Sequence, residues 1–339
     1  MEYYVLILHE DKNQKVFDQV IRFTAAEFNV PQAYVEKDYF LTKSLLNLSQ
    51  SSDKDCIVFK GGTSLSKIYK VLFRFSEDID LAIIPEKEWG DNKIKRVVKR
   101  VVKNASKDLE ETGEQFNSGS KFKKVRVRFP LIDPNQDLGE VQKTILIECN
   151  AFTTPSPIEK KPVRTLIAEW AIRSGNSDII EEFNLQDFEI NVLCWKRTLC
   201  EKILGLMAAS TRDLLQDKVR HFYDITLMLR HDEIKEFTNS DCSFFKMMGV
   251  AVQNDINHAG RFEIPWINSD IGLNQPFNEF EISWKLVEEA YYGDFKKMVT
   301  RPERSPGFDE ISAAFSWLQT RLVSYSNSSF HQDCLRSMS

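Results

Sequence analysis

The 339-residue chain has few of the residues that build metal centres or disulfide frameworks. Its six cysteines are scattered, none belongs to a C-x-x-C pair, and none has a histidine at the spacing of a zinc site. Five histidines are too few to favour a histidine-rich metal site. Scattered cysteines of this kind are typical of free thiols in a reducing compartment.

Long apolar runs are missing as well. The N-terminal sequence MEYYVLILHEDKNQKV holds an apolar run of about six residues, whereas a membrane-spanning helix needs about 20. A signal peptide would also need a basic start and a longer apolar segment. These absences predict a cytoplasmic protein with no membrane partner.

The chain has no excess of positive charge, because its formal net charge is -5 at pH 7. This balance disfavours a protein that coats nucleic acid without selectivity, but it allows a local basic groove. The predicted helix WGDNKIKRVVKRVVKNASKDLEE carries lysines and arginines on one side, and the predicted strand KKVRVR follows it. Together they form either a positive flank of a cleft that contacts RNA or ordinary solvated faces.

The most informative stretch is FKGGTSLSKIYKVLFRFSEDIDLAII, at 59–84. An apolar strand ends at Lys60 and two glycines interrupt it. The spacing of Leu65, Ile68 and Leu72 then predicts a helix over TSLSKIYKVL. The segment DIDLAII predicts a second strand, which begins with acids.

Asp78 and Asp80 lie two positions apart on that strand, so their side chains share one face. Two adjacent carboxylates repel each other unless a cation lies between them. Mg²⁺ binds one or two carboxylates together with substrate phosphates, and two such ions promote in-line displacement at phosphorus. The pair therefore predicts a one- or two-metal magnesium site for nucleotidyl transfer, with a solvated strand entry as the alternative.

The glycines predict a phosphate-binding loop at the strand-to-helix junction. Glycine lets the backbone come close to a ligand, and N–H groups at a helix start can face phosphate oxygens. The loop residues predicted to bind a nucleotide are Lys60, Gly61, Gly62, Thr63 and Ser64. An ordinary tight turn with a Thr or Ser N-cap is the alternative, and no Walker motif is present.

The combined order of strand, Gly-Gly-Thr-Ser, helix and Asp-x-Asp strand is that of the polymerase-β-like nucleotidyltransferases. The string FKGGTSLSKIY…RFSEDIDL, with VEKDYFLTKSLL upstream, resembles the nucleotidyl transferase AbiEii/AbiGii toxin family. That family provides the toxins of a class of bacterial toxin–antitoxin and phage-abortive-infection systems. The resemblance covers roughly 35–229 by motif and order.

The resemblance implies both a fold and an activity. The fold is α+β, with a polymerase-β-like core of a short mixed sheet and flanking helices, followed by a mainly helical C-terminal half. The activity is Mg²⁺-dependent transfer of a nucleoside monophosphate from a nucleoside triphosphate, with release of pyrophosphate. The implied partners are a tRNA whose 3′ end accepts the nucleotide and a cognate antitoxin protein, or its regulatory product, that neutralises the toxin.

Family members also carry a lysine and then an aspartate on helices of the second half. Lys202 in LCEKILGLM and Asp224 in KVRHFYDITLML match them, and Lys196 is a competing choice for the lysine. Lys202 is expected to neutralise charge on the triphosphate. Asp224 is expected either to orient Lys202 or to act as a base on the acceptor hydroxyl, with an i, i+4 ion pair to Arg220 as the structural alternative.

Three further residues complete the predicted site. Glu148, on the predicted strand KTILIECN, is the third carboxylate expected to help activate the attacking hydroxyl, or else an outward-facing glutamate. Arg74 and Ser76 precede the acids and are predicted to bind the nucleotide. Arg74 would contact a phosphate or, alternatively, pair with Glu77 or another acid.

The segment TTPSPIEKKPV holds three prolines and marks a predicted boundary. It separates a nucleotidyltransferase core at 1–155 from a mainly helical domain at 156–339 that completes the active-site cleft. The sequence leaves the acceptor open. A small molecule or a protein hydroxyl is the alternative to tRNA, and a non-catalytic relative that binds only nucleotide or a partner is the third possibility.

Overall fold

The computed structural model describes residues 7–132, 142–152, 154–259, 264–267 and 270–338. The apolar run considered as a signal peptide begins outside these residues. Within the described part, no helix is long and apolar enough to cross a membrane.

Seven strands and fourteen α-helices are assigned in the described residues. The strands are β1 (Ile57–Lys60), β2 (Asp78–Ile83), β3 (Glu110–Ser118), β4 (Phe122–Arg128), β5 (Thr144–Asn150), β6 (Ile158–Val163) and β7 (Phe188–Leu193). The first six helices are α1 (Gln14–Phe28), α2 (Gln32–Ser49), α3 (Gly61–Lys67), α4 (Asp91–Ala105), α5 (Leu166–Ser174) and α6 (Asp178–Glu182). The remaining helices are α7 (Trp195–Ser210), α8 (Val219–Leu229), α9 (Asp232–Asn239), α10 (Asp241–Ala259), α11 (Gln275–Asn278), α12 (Phe280–Ala290), α13 (Phe308–Ser326) and α14 (Ser329–Arg336).

The strands form one mixed sheet in the order β3-β4-β5-β2-β1-β7-β6. β2 is antiparallel to β1 and parallel to β5, and β4 is antiparallel to both β3 and β5. This arrangement confirms the predicted α+β class with a mixed sheet, flanking helices and a helical second half. It also places β2, which begins with the two aspartates, inside the sheet between β5 and β1.

The chain forms two compact units, 1–68 with 75–192 and 69–74 with 193–339. The boundary predicted at 155/156 therefore falls 37 positions too early, counted from 155 to 192. The physical reason is that β6 lies inside the proline-rich segment, β7 follows it, and both strands still belong to the sheet. Pro155 and Pro157 precede β6 and Pro162 lies on this edge strand, where proline is tolerated, so the prolines do not mark the end of the unit.

The helix predicted over 63–72 is also shorter than expected. It ends at Lys67, and Lys70 adopts a left-handed backbone conformation with φ of 55°. A helix cannot continue through that conformation. Residues 69–74, which come after this helix, belong to the second unit.

One side of the sheet in the first unit is covered by helix α4. Its buried residues include Ile94, Val97 and Val101, and it packs against β4 and β5. The buried side chains of those strands alternate with the side chains that share the face of the aspartates. The lysines and arginines of α4 consequently lie on the side of the sheet opposite the acids, so the predicted positive flank of the cleft cannot include this helix.

Candidate active site

Strand β2 presents its two aspartates on one face, as the alternation predicted. Asp78 and Asp80 are partly exposed, whereas Ile79 and Leu81 are fully buried. On the parallel strand β5, Glu148 is in register with Asp80. Side chains in register on neighbouring strands share a face, so three predicted carboxylates lie together on the half-exposed side of the sheet.

The glycine turn lies directly against Asp80. Gly61 has φ of 78°, a conformation that favours glycine. A Cβ at this position would overlap Asp80 Oδ2 and lie 2.9 Å from its Cγ. The missing side chain thus leaves the space that the Asp80 carboxylate occupies, and the loop and the acid must be built together.

The hydroxyls of the loop face the protein. Thr63 Oγ1 lies 2.5 Å from the carbonyl oxygen of Asp78 and 2.8 Å from Ser76 Oγ, and Thr63 is buried. Since a carbonyl only accepts, Thr63 donates to Asp78 and Ser76 donates to Thr63. Ser64 is fully buried and donates to the carbonyl of Gly61 at 2.8 Å. These hydroxyls support the loop and the start of β2, and the protein itself occupies the donors expected to bind phosphate.

Helix α2 fixes the start of β2 through a buried ion pair. Lys37 is 1% exposed, and its Nζ lies 3.1 Å from Glu77 Oε1, immediately before Asp78. Lys37 also donates to the carbonyl of Gln142, whose own N–H donates to Glu77. Burial lowers the pKa of Lys37, and the Glu77 charge opposes that shift. A charged pair held this way fixes the direction in which β2 begins.

The residues on either side of Lys37 hold two other segments. Glu36 is fully buried and accepts a hydrogen bond from the N–H of Ile132. Asp38 accepts from Lys67 Nζ at 2.5 Å and from the N–H of Leu166 at 2.8 Å. Lys67 ends the helix that follows the glycine turn. The three consecutive charges of VEKDYF therefore hold three different parts of the first unit.

The donor set fits a divalent cation bound together with phosphates. Asp78 and Asp80 supply two partly exposed carboxylates on one face, and Glu148 is the neighbour of Asp80. Among the described residues, no three His, Cys, Asp or Glu side chains converge to hold a metal ion. Mg²⁺ commonly takes one or two carboxylates and completes its shell with water and substrate phosphates. Asp78 and Asp80 suit a Mg²⁺ ion that is held by two carboxylates and completes its shell with water and substrate phosphates.

The second unit contains a separate buried cluster around Asp224. Its carboxylate accepts from Arg74 Nε at 2.6 Å and Nη2 at 2.7 Å, and from Lys202 Nζ at 2.7 Å. Burial alone would raise the pKa of Asp224, but the charges and hydrogen bonds of the two cations hold it well below its ordinary value. Asp224 is fully buried, and both of its oxygens bind cations. This placement fits the residue that orients Lys202 better than a base on an acceptor hydroxyl.

The sequence also matches a known protein family. The model of the family described as nucleotidyl transferase AbiEii toxin, type IV toxin–antitoxin system, matches residues 43–314. The chain belongs to this family. It is therefore a nucleotidyltransferase of a type IV toxin–antitoxin system. The motif resemblance implied the nucleotidyltransferase and the toxin–antitoxin system, and the family match adds the type.

A second comparison found a similar solved structure. The nucleotidyltransferase toxin MenT4 from Mycobacterium tuberculosis H37Rv matches with a TM-score of 0.48 and 16% sequence identity. The match covers 96% of this chain and 98% of that chain. Comparison with curated proteins gave no match.

In this AbiEii enzyme the two candidate lysines differ in their surroundings. Lys202 is buried and binds Asp224, whereas Lys196 is more exposed and pairs with Glu233 at 2.8 Å. His221 packs beside Gly205. Burial lowers its pKa well below the ordinary value, and Lys202 adds to the shift. The geometry therefore favours Lys202, with a neutral His221 close by.

Two ion pairs of the AbiEii site were not identified from the sequence. Arg74 was predicted to contact a phosphate or to pair with Glu77 or another acid, and the acid is Asp224, 150 positions away, which it binds through two hydrogen bonds. The Lys37–Glu77 pair was not predicted at all. The available signal was an acid–base–acid run inside a largely apolar helix, because charges at such positions are buried only when they are paired.

Proposed function

We propose that this AbiEii enzyme transfers a nucleoside monophosphate from a nucleoside triphosphate to the 3′ end of a tRNA, with Mg²⁺ as the cofactor. Pyrophosphate leaves when the acceptor hydroxyl attacks the α-phosphorus. The observation that carries the proposal is the shared face of Asp78, Asp80 and Glu148, with the Gly61 turn against Asp80. A cluster of this kind suits a triphosphate with its metal better than a neutral substrate.

Each residue is assigned a role from its placement. Asp78 and Asp80 would hold Mg²⁺, which supplies charge neutralisation on the phosphates. Glu148, 31% exposed at its side chain and 3.6 Å from Lys124, would accept the proton of the attacking hydroxyl. The loop Lys60–Ser64 and Ser76 would line the nucleotide site by their backbone.

The cations of the second unit receive different roles. We propose that Lys202 neutralises charge on the triphosphate and that Asp224 positions Lys202. Arg74 is held by the same carboxylate through two hydrogen bonds, which is the geometry of a strong guanidinium–carboxylate pair. Its proposed role is therefore to fix the Asp224 carboxylate that positions Lys202.

The membership in a type IV system implies an antitoxin, and we propose that its protein or regulatory product limits this transfer reaction. The transfer itself is tested with each α-labelled nucleoside triphosphate, Mg²⁺ and total cellular RNA. We expect label on tRNA with the wild-type enzyme and none with Asp80→Asn, which keeps the shape of the side chain but removes its charge. Label confined to small molecules or to protein would contradict the proposed acceptor, and no label on any acceptor would contradict the reaction.

A further inference from the structure

The face of the sheet that carries the acids continues across β5 and β4 to the edge strand β3. Glu148 is in register with Asp80 on one side and with Lys124 on the other. Lys124 is in turn in register with Phe116 on β3. Strands lie about 4.8 Å apart, so Phe116 is about 14 Å from Asp80 on the same face.

Aromatic rings cluster at this end of the face. Phe116 is 60% exposed, and its ring centroid lies 5.9 Å from that of Phe122 in an edge-on arrangement. Phe122 stacks on Phe152 at 5.9 Å with an interplanar angle of 11°. The two inner rings support Phe116, whose outer surface remains open to solvent.

The cations on β4 border these rings. Lys124, Arg126 and Arg128 alternate along the strand, so they share the face with Phe116. Each has an acidic neighbour: Glu148 at 3.6 Å from Lys124, Glu114 at 2.9 Å from Arg126, and Glu110 at 3.4 Å from Arg128. The Lys124 contact is longer than a hydrogen bond and its partners are partly exposed, so a phosphate can displace it.

We propose that this ring cluster, Phe116 with Phe122 and Phe152, is a stacking platform for the single-stranded 3′ end of the acceptor RNA. The inference rests on the proposed function, because it places the acceptor hydroxyl at the acids. Exposed aromatics on an open sheet face are a recurrent way of binding unpaired bases. Lys124 lies between the platform and Glu148, where it would meet the phosphate of the strand running from the rings toward Asp80.

An alternative occupant of an exposed edge strand is a second copy of the chain or another protein. The continuity of this face with Asp80 and Glu148 favours the acceptor strand, whose 3′ end has to reach those acids, over a protein partner. Because each of these cations already has an acidic neighbour, base stacking should contribute more to the free energy of binding than the release of counterions. We therefore expect binding with only a shallow dependence on salt.

The test measures binding of a fluorescent single-stranded oligoribonucleotide of about eight nucleotides, within the site size of known single-strand binders. Loss of one stacked base predicts about 5- to 150-fold weaker binding for Phe116→Ala, and Phe116→Trp should restore it. The matched control is Phe23→Ala on α1, because Phe23 is 57% exposed and, like Phe116, contacts a neighbouring ring, that of Trp170.

Equal binding by wild type and Phe116→Ala would overturn the platform, as would no binding by the wild-type enzyme. A change of oligomeric state in Phe116→Ala, with oligonucleotide binding unchanged, would assign the surface to protein instead. Transfer of label to RNA is measured in parallel for the wild type, Phe116→Ala and Asp80→Asn. If Phe116→Ala weakens oligonucleotide binding but no enzyme transfers label, the proposed reaction fails while the platform stands.

Discussion

Replacing Gly61 by alanine tests whether the glycine turn sets the position of Asp80. The new Cβ would lie 2.9 Å from Asp80 Cγ, whereas relaxed carbon–carbon contacts are about 3.5–4.0 Å. The carboxylate must therefore move by about 1 Å. A displacement of that size at a reacting group costs about 100-fold in rate, and this is the loss we expect in transfer of label from a nucleoside triphosphate.

The backbone conformation adds a cost that has to be separated from the displacement. An L-residue in the left-handed region costs about 1–2 kcal/mol, and this applies to Gly61→Ala whatever happens at Asp80. Gly175→Ala is the matched control, since Gly175 has φ of 75° but a Cβ there meets nothing within 4 Å. Both variants should lose similar stability in urea, while only Gly61→Ala loses activity.

The result that would refute this reasoning is a folded Gly61→Ala enzyme with a transfer rate within about threefold of Gly175→Ala, where a 1 Å displacement would cost far more. That result would mean that the carboxylate of Asp80 moves without consequence, or that it is not a reacting group. A crystal structure of Gly61→Ala would separate these two outcomes by the position of Asp80 Oδ2.

Four other outcomes follow from the buried charges and the donor set. Lys37→Met should lower the free energy of unfolding by about 3–5 kcal/mol, because Glu77 is left buried without its cation. The double variant Lys37→Met with Glu77→Leu should recover most of that loss. Urea denaturation of the wild type and the two variants checks this. Asp224→Ala, which leaves two cations without their anion, should destabilise by a similar amount, about 3–5 kcal/mol, whereas Asp217→Ala at an exposed position should have little effect. Burial, reinforced by a nearby lysine, lowers the pKa of His9 from 6.5 to about 4, so the unfolded chain binds its proton at a higher pH than the folded one. Stability should therefore fall as the pH drops from 6.5 toward 4, and His9→Gln should show a smaller fall; parallel slopes would contradict this. Calorimetric titration with Mg²⁺ should show weak binding to the enzyme alone and tight binding once a nucleoside triphosphate is present, and tight binding without nucleotide would be inconsistent with a two-carboxylate site.

The sequence pattern predicted correctly those features that depend only on neighbouring residues. Alternation placed Asp78 and Asp80 on one face of β2, because the side-chain period of a strand does not depend on distant residues. The same logic failed at the end of α3, where apolar spacing continues past the point at which Lys70 turns left-handed. Strand β3 was missed because an edge strand with mainly exposed residues shows no alternation of apolar side chains.

The partners of the charged residues depended on tertiary structure. Glu148 was assigned to the site by its strand and residue type, and its register with Asp80 is consistent with that assignment. Arg74 has its acid 150 positions away, and Lys37 has its acid 40 positions away, by subtraction from Glu77. No spacing rule in sequence reaches such pairs, because they form only when separate elements pack together.

The burial of the charges separates two kinds of residue in the first unit. Asp78, Asp80 and Glu148 remain partly exposed, so water keeps an ionised carboxylate stable there and a cation can reach it. Lys37 and Glu77 are buried, so they are stable only as a pair and cannot exchange partners cheaply. Glu77 directly precedes Asp78. The permanent ion pair therefore fixes the backbone that carries the carboxylate proposed to bind the metal. Substituting the buried pair by apolar side chains should therefore restore stability without restoring the full affinity for the metal–nucleotide complex, since apolar side chains cannot replace the bonds that the charged pair makes to Gln142 at the start of β2.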